Sequence, residues 1–123
     1  MTKNKPTILI VDDNKSYTKR ISSLLTDTES VSSIHLAYNY DEATALLDRE
    51  PDLVLLDINL PGQNGISLLK QIKDSGNNCD VIMMTNHTGE HYREECKKLG
   101  ASFFLDKTYD FELLPDILHT LSY

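Results

Sequence analysis

Leu53-Val54-Leu55-Leu56-Asp57-Ile58-Asn59-Leu60-Pro61-Gly62-Gln63-Asn64-Gly65 is the stretch from which the rest of the chain can be read. Its first four residues are all apolar, as in a strand covered on both faces, and the run stops at a carboxylate followed by the turn signal Pro61-Gly62. Asp57 therefore falls at the C-terminal mouth of a strand. In open α/β sheets the strand ends and the loops beyond them form the crevice where ligands bind. A lone Asp in that place also has an ordinary explanation, closing a strand or capping the next helix. What the other strands end in decides between the two.

Outward from this stretch the same pattern recurs. Thr7 to Val11 is a strong β run that stops at Asp12-Asp13-Asn14, and a helical stripe of Tyr17, Ile21, Leu24 and Leu25 follows, with Asp13 or Asn14 as its N-cap. Val31 to Tyr38 sets Val31, Ile34 and Leu36 among Ser32, Ser33 and His35, a dilution that suits an edge strand. A second helix spans about Tyr40 to Asp48, with Ala43, Leu46 and Leu47 inward, and Pro51 precedes the third strand. After Asp57 a helix from about Asn64 to Asp74 carries Ile66, Leu69 and Ile72 and ends at Gly76-Asn77-Asn78. Val81 to Met84 is the fourth strand, closed by Thr85-Asn86-His87. A polar helix from about Gly89 to Leu99 follows, with only Tyr92, Cys96 and Leu99 as its apolar stripe. Ser102 to Leu105 is the fifth strand and runs into Asp106-Lys107. The last helix carries Leu114, Ile117, Leu118 and Leu121, with Pro115 in its first turn, where a missing N–H costs little.

Five βα units in strict alternation call for an α/β fold, a five-stranded parallel sheet with five helices on its two faces. The 123 residues suffice for one domain, 1–123, and one core. Continuous apolar runs in strands one, three and four fit central positions, so the order 2-1-3-4-5 satisfies the pattern, with its topological switch between strands one and three. Twelve Lys and Arg against 19 Asp and Glu, a formal charge of -7, disfavour nucleic-acid and anionic-membrane partners. No apolar run approaches the ~20 residues that cross a bilayer, no signal peptide opens the chain, and Cys79 and Cys96 lack paired-thiol spacing. The chain reads as cytoplasmic with two free thiols.

In that order, Asp12, Asp13 and Asp57 converge. Carboxylates so close repel by on the order of several kcal/mol when partly desolvated, a strain relieved by protonation or by a cation. Oxygen-only donors suit a hard ion, and Mg²⁺ is held by one or two carboxylates together with a substrate phosphate. Thr85 and Lys107, closing strands four and five, offer a hydroxyl and an ammonium to phosphoryl oxygens. Each has a plainer reading, as an ordinary strand residue and a solvated charge.

Asp12-Asp13, the run from Asp57 to Gly65, Thr85, and the run from Gly100 to Lys107 together resemble the receiver domain of two-component response regulators, over essentially the whole chain. The strand order thus rests on the resemblance as much as on the pattern. The resemblance implies that Asp57 accepts a phosphoryl group from a phosphohistidine of a sensor histidine kinase or phosphotransfer protein. It also implies Mg²⁺, replaceable by Mn²⁺, on Asp12, Asp13, Asp57 and the backbone carbonyl of Asn59. Thr85 and Lys107 would take the phosphoryl oxygens, and Phe104 would be the aromatic switch. The last strand and the helices flanking it would then read out to a downstream protein target, from a monomer or a weak phosphorylation-dependent dimer.

Three positions depart from the family pattern. Thr108 follows Lys107 where the family commonly has Pro and a cis peptide, Asn86 replaces a small residue, and Phe104 has no hydroxyl. Asn59, Asn86 and His87 are candidates for setting phosphorylation or hydrolysis rates. Three functions are open: a receiver acting alone, expected because the last helix ends near Tyr123; an Asp-nucleophile phosphatase; and an interaction domain that is never phosphorylated. The second needs an Asp where Asn59 stands and a cap that 123 residues cannot supply, and the acid, Thr and Lys set counts against the third. The expectation is a self-acting phosphoryl acceptor, not a turnover enzyme. His87, His91 and Cys96 have a spacing that can serve zinc, but Gly89 between the histidines and the lack of a fourth ligand oppose it.

Overall fold

The computed structural model describes residues 5–27, 31–61, 63–86 and 90–121. Five strands, β1 (Thr7–Val11), β2 (Ser33–Ala37), β3 (Leu53–Asp57), β4 (Asp80–Thr85) and β5 (Phe103–Asp106), form one parallel sheet in the order β2-β1-β3-β4-β5. Between them run α1 (Lys15–Asp27), α2 (Tyr40–Leu47), α3 (Gly65–Asp74) and α4 (Glu90–Lys98), and a short 3-10 turn at Phe111–Leu113 leads into α5 (Leu114–Thr120). The α/β class and strand order read from the sequence are those observed. No helix among the described residues is long and apolar enough to cross a membrane.

Helix starts follow the capping chemistry of the sequence. Asn39 and Asn64 accept from the backbone N–H of Glu42 and Ile66, and Asn14, rather than Asp13, accepts from Tyr17 at the head of α1. Pro115 lies in the first turn of α5, as expected. Strand edges differ from the reading by a residue or two. The second strand is shorter than Val31–Tyr38, the second helix stops before Asp48, and the fifth strand extends to Asp106, because Phe103 to Asp106 pair in register with Ile82 to Thr85. Gly62, His87 and Gly89 lie outside the described residues.

Alternation along the strands divides the core in two. Leu9, Val11, Val54, Leu56, Val81 and Met83 face α2, α3 and α4, meeting Ala43, Leu68, Ile72 and Cys96. Ile8, Ile10, Leu53, Leu55, Ile82 and Met84 face α1 and α5, meeting Tyr17, Ile21, Leu25, Leu114 and Leu118. Side chains two apart share a face. Asp12 therefore continues the row Ile8-Ile10, Asp57 the row Leu53-Leu55, and Lys107 the row Phe103-Leu105, all toward α1 and α5. Thr85 continues the row Val81-Met83 on the other face.

One glycine fixes how the Asp57 strand meets its helix. The Gly65 N–H donates to Ile58 O at 2.7 Å, and a Cβ at Gly65 would lie 2.1 Å from the carbonyl oxygen of Asp57 and 2.9 Å from Ile58 Cα. No side chain fits there unless the backbone carrying Asp57 moves. Gly76, with φ +80° and nothing within 4 Å of its missing Cβ, has only a conformational reason to be glycine. Gly65→Ala should cost about 2 kcal/mol or more in urea unfolding, against about 1 kcal/mol for Gly76→Ala. Equal losses would show that the close approach to Asp57 is not what constrains Gly65.

Candidate functional site

The sheet delivers its charged residues to one rim. Asp12 stands one residue past β1, with its N–H on Ala37 O at 3.0 Å, and its carboxylate accepts from Asn14 N at 2.9 Å. Asp57 ends β3 and accepts from Asn59 N at 3.1 Å, while the next residue, Ile58, donates to Met84 O at 3.1 Å. Carboxylate oxygens of Asp12, Asp13 and Asp57 lie within 4.8 Å of one another, with Asp12 and Asp57 buried and Asp13 exposed. Lys107, one residue past β5, donates its N–H to Thr85 O at 2.8 Å. Its ammonium bonds Asp12 Oδ2 and lies 3.7 Å from Asp57 Oδ2. Lys107 is only 4% exposed, so the plainer reading of a solvated charge is overturned.

The three carboxylates outnumber the single ammonium. Burial, then the charge of Asp12, push the Asp57 carboxyl up to about 6, against the opposing pull of Lys107 and the Asn59 N–H. Asp57 is thus a carboxylate of unusually high basicity, ionised for the most part in neutral water but protonated in mildly acidic water. Oxygen donors alone, one of them exposed, fit a hard divalent cation that would relieve the same repulsion.

Other residues singled out from the sequence fall around this centre. Thr85 is 3% exposed at the end of β4, in register with Asp106, while Asn86 and Asn59 are exposed. Phe104 is half-buried on the Thr85 side of the sheet. The Arg93 guanidinium stacks 4.9 Å from its ring centre, and Arg93 Nη1 donates to its carbonyl at 3.4 Å. The loop after Lys107 is tied by side chains: Asp106 Oδ1 accepts from Thr108 N and Tyr109 N, and Asp110 Oδ2 from Asp106 N. No peptide bond among the described residues is cis. Cys96 is fully buried in the core, with its thiol pushed up to about 11 by burial, whereas His91 is exposed on the same helix. The trio Asp12, Asp13 and Asp57 is the one metal-capable group among the described residues.

Sequence reasoning missed two residues of this site. The sequence pattern places Tyr17 only in the core stripe of α1, yet its hydroxyl donates to Lys107 O at 2.9 Å. Gly65 supports Asp57 from behind. A phenol in an otherwise aliphatic stripe was the available signal for Tyr17, because a buried Tyr hydroxyl needs a partner.

Because the folded pKa of Asp57 lies above its ordinary value of 3.8, its contribution to stability is complete below that value and is lost as pH rises through about 6. In buffer without divalent cations, the unfolding free energy should fall between pH 4 and pH 7 by on the order of 2 kcal/mol more than in Asp57→Asn. Parallel pH profiles for the two proteins would show that Asp57 carries no such strain.

Comparison with known proteins agrees with this geometry. Residues 8–119 match the family model of the response regulator receiver domain. The chain is 38% identical over 111 residues to the transcriptional regulatory protein CpxR of Klebsiella pneumoniae, covering 89% of this chain but 47% of that protein. It is 32% identical over 109 residues to the sporulation initiation phosphotransferase F of Bacillus subtilis, covering 89% of this chain and 87% of that protein. The chain thus spans about half the length of the first relative and most of the second. Among solved structures, the signal receiver domain of a DNA-binding response regulator from Colwellia psychrerythraea superposes with a TM-score of 0.87 at 30% identity, covering 94% of this chain and 96% of that one. The receiver domain of NarL from Mycobacterium tuberculosis, at 20% identity and TM-score 0.88 over 97% of both chains, shares the fold. With the family model matched across all five strands, this chain belongs to the response regulator receiver domains.

Proposed function

We propose that the chain is a phosphorylation-driven signalling switch in which Asp57 accepts a phosphoryl group from a phosphohistidine on a sensor kinase or phosphotransfer protein. The observation that carries this reading is the approach of three carboxylates to within 4.8 Å, with one buried ammonium reaching two of them. Sporulation initiation phosphotransferase F, matched over most of its length, adds support for phosphoryl chemistry.

Asp12, Asp13, Asp57 and the Asn59 carbonyl would hold Mg²⁺, or Mn²⁺ in its place. A bound cation there offsets the charge that accumulates as a phosphoryl group meets a carboxylate. The remaining steps belong to the side chains. An oxygen of Asp57 forms a bond to phosphorus as the bond from phosphorus to the histidine nitrogen breaks; with a proton on its other ring nitrogen, the phosphohistidine leaves as a neutral imidazole, and Asp57 becomes an acyl phosphate. A carboxyl titrating at about 6 is largely ionised at neutral pH, and its raised basicity makes it a better nucleophile than an exposed Asp. Lys107, already 3.7 Å from Asp57, shifts from Asp12 toward the new phosphoryl oxygens, and the Thr85 hydroxyl donates to another.

The response then crosses the sheet. Drawing Thr85 toward the phosphoryl group opens space on the face it shares with Phe104, and the ring turns inward, leaving the Arg93 guanidinium. The surface altered is α4, β5 and α5, which would control a downstream protein target. The acidic balance still opposes nucleic acid as the direct partner of residues 1–123, read as one receiver unit, cytoplasmic and monomeric or weakly dimeric when phosphorylated. Asn86 and His87 would adjust the phosphate lifetime.

Incubated with a small acyl phosphate and Mg²⁺, the protein should gain one phosphoryl mass. Chelation with EDTA should prevent the gain, Asp57→Asn should abolish it, and Lys107→Ala should slow it about a hundredfold. Undiminished uptake by Asp57→Asn, or none by the unaltered protein, would refute the assignment.

A further inference from the structure

The buried stripe of α1 is Tyr17, Ile21 and Leu25, and packing alone would be served by a third aliphatic residue. Tyr17 does more than pack. Its hydroxyl donates to the backbone carbonyl of Lys107, 90 residues away, at 2.9 Å, and the Lys107 ammonium sits 4.4 Å from its ring centre. A closed circuit results. Asp12 accepts from Asn14 N, Asn14 accepts from Tyr17 N, Tyr17 donates to Lys107 O, and the Lys107 ammonium returns to Asp12. Behind the ring, Phe111 meets Tyr17 edge-on at 5.8 Å, and the Arg20 guanidinium covers Phe111 at 4.7 Å. Tyr17 is therefore held from one side while it holds Lys107 on the other.

We infer that Tyr17 is a positioning residue for Lys107, its ring face seating the ammonium and its hydroxyl anchoring the Lys107 backbone so that the charge is aimed at the group on Asp57. The role given to Lys107 rests on the proposed function; the seat itself is a matter of geometry. A buried ammonium has three N–H groups to satisfy. Asp12 takes one, Asp57 at 3.7 Å is beyond a normal hydrogen bond, and the π face supplies a further partner. Attraction to a ring face has no fixed hydrogen-bond direction. The ammonium can swing from Asp12 to a phosphoryl oxygen on Asp57 without leaving the ring, while the hydroxyl bond keeps its backbone still. A leucine in place of Tyr17 would leave the ammonium unsupported.

The test measures the initial rate of phosphorylation by a small acyl phosphate with Mg²⁺, and the NMR shift of the Lys107 ε-methylene protons, in Tyr17→Leu and Tyr17→Phe. Each substitution is made alone and on Lys107→Ala, with the unfolding midpoint as a check of folding. A lysine tail over an aromatic face has its ε-methylene signals moved upfield by the ring current. That shift should be present in the unaltered protein and in Tyr17→Phe and lost in Tyr17→Leu. The rate should fall about tenfold in Tyr17→Leu and about threefold in Tyr17→Phe, and neither change should slow Lys107→Ala further. A folded Tyr17→Leu with an unchanged rate overturns the inference. An equal loss in the Lys107→Ala background also overturns it, since Tyr17 would then act on the fold and not through Lys107. Should Tyr17→Leu fail to fold, Tyr17→Phe decides: slowing that requires Lys107 supports the inference, and no slowing overturns it. If the unaltered protein takes up no phosphoryl group, the proposed function fails while the ε-methylene shift still decides the seat, its absence from the unaltered protein overturning it.

Discussion

Alternation of side chains across a pleated sheet is the constraint from which the site follows. Asp12, Asp57 and Lys107 each stand two residues beyond a fully or largely buried apolar side chain of their own strand, on the face toward α1 and α5. Parallel strands in register bring these three ends to one rim, so residues 45 to 95 positions apart become neighbours without any loop having to place them. Removing such ions from water costs several kcal/mol each, and their mutual pairing recovers only part of it. The rest comes from the apolar rows beneath, where each fully buried Leu or Ile contributes roughly 2 kcal/mol. Chemistry at the rim depends on a core that can carry its cost.

The charges at the rim are deliberately out of balance. Lys107 satisfies Asp12 and only half reaches Asp57, and it is Asp57 whose carboxyl burial and Asp12 drive upward. A well-paired Asp57 would be stable and inert. Its charge only partly met by Lys107, Asp57 favours a cation at the rim, and its basicity is what the proposed attack on phosphorus calls for. The strain is confined to one residue because its surroundings are fixed: the Asp57 carboxylate accepts from the Asn59 N–H, and the Asp57 backbone is pressed by Gly65.

Much of this was legible beforehand, and the reason differs by residue. The strands from Thr7, Leu53 and Val81 announce themselves because burial on both faces demands unbroken apolar runs, and Asn14, Asn39 and Asn64 mark helix starts because unpaired N–H groups need an acceptor. The convergence of Asp12, Asp13 and Asp57 needed only the strand order. What the sequence hid is whatever depends on distance in space. Nothing local distinguishes Lys107 from a solvated lysine until α1 closes over it, and Tyr17 reads as one more apolar residue until its hydroxyl finds a carbonyl from the far end of the chain. The strand boundaries at Ser33 and Asp106 were set by pairing with neighbours, which propensity does not see.

The two faces of the sheet must communicate if a change at Asp57 is to be felt at Phe104, and the core between them is packed on both sides. A close-packed interior yields in discrete rearrangements and not by continuous deformation, so a change at Asp57 needs a defined route across the sheet. The rim supplies one. There the Lys107 N–H is bound to Thr85 O at 2.8 Å, so the residue that reaches the acids on one face is joined by backbone to a residue on the face that carries Phe104. Asp57 is tied to the same strand, since the residue after it donates to Met84 O. The ends of β3, β4 and β5 therefore form one hydrogen-bonded hinge line in which Asp57 and Lys107 face one way and Thr85 the other. In the proposed switch, a change of charge on the acidic face would pull on this line, and the half-buried Phe104 ring stacked on Arg93 would respond on the opposite face. In that reading the fold separates the proposed chemistry from its readout by the thickness of one sheet and couples them where that sheet ends.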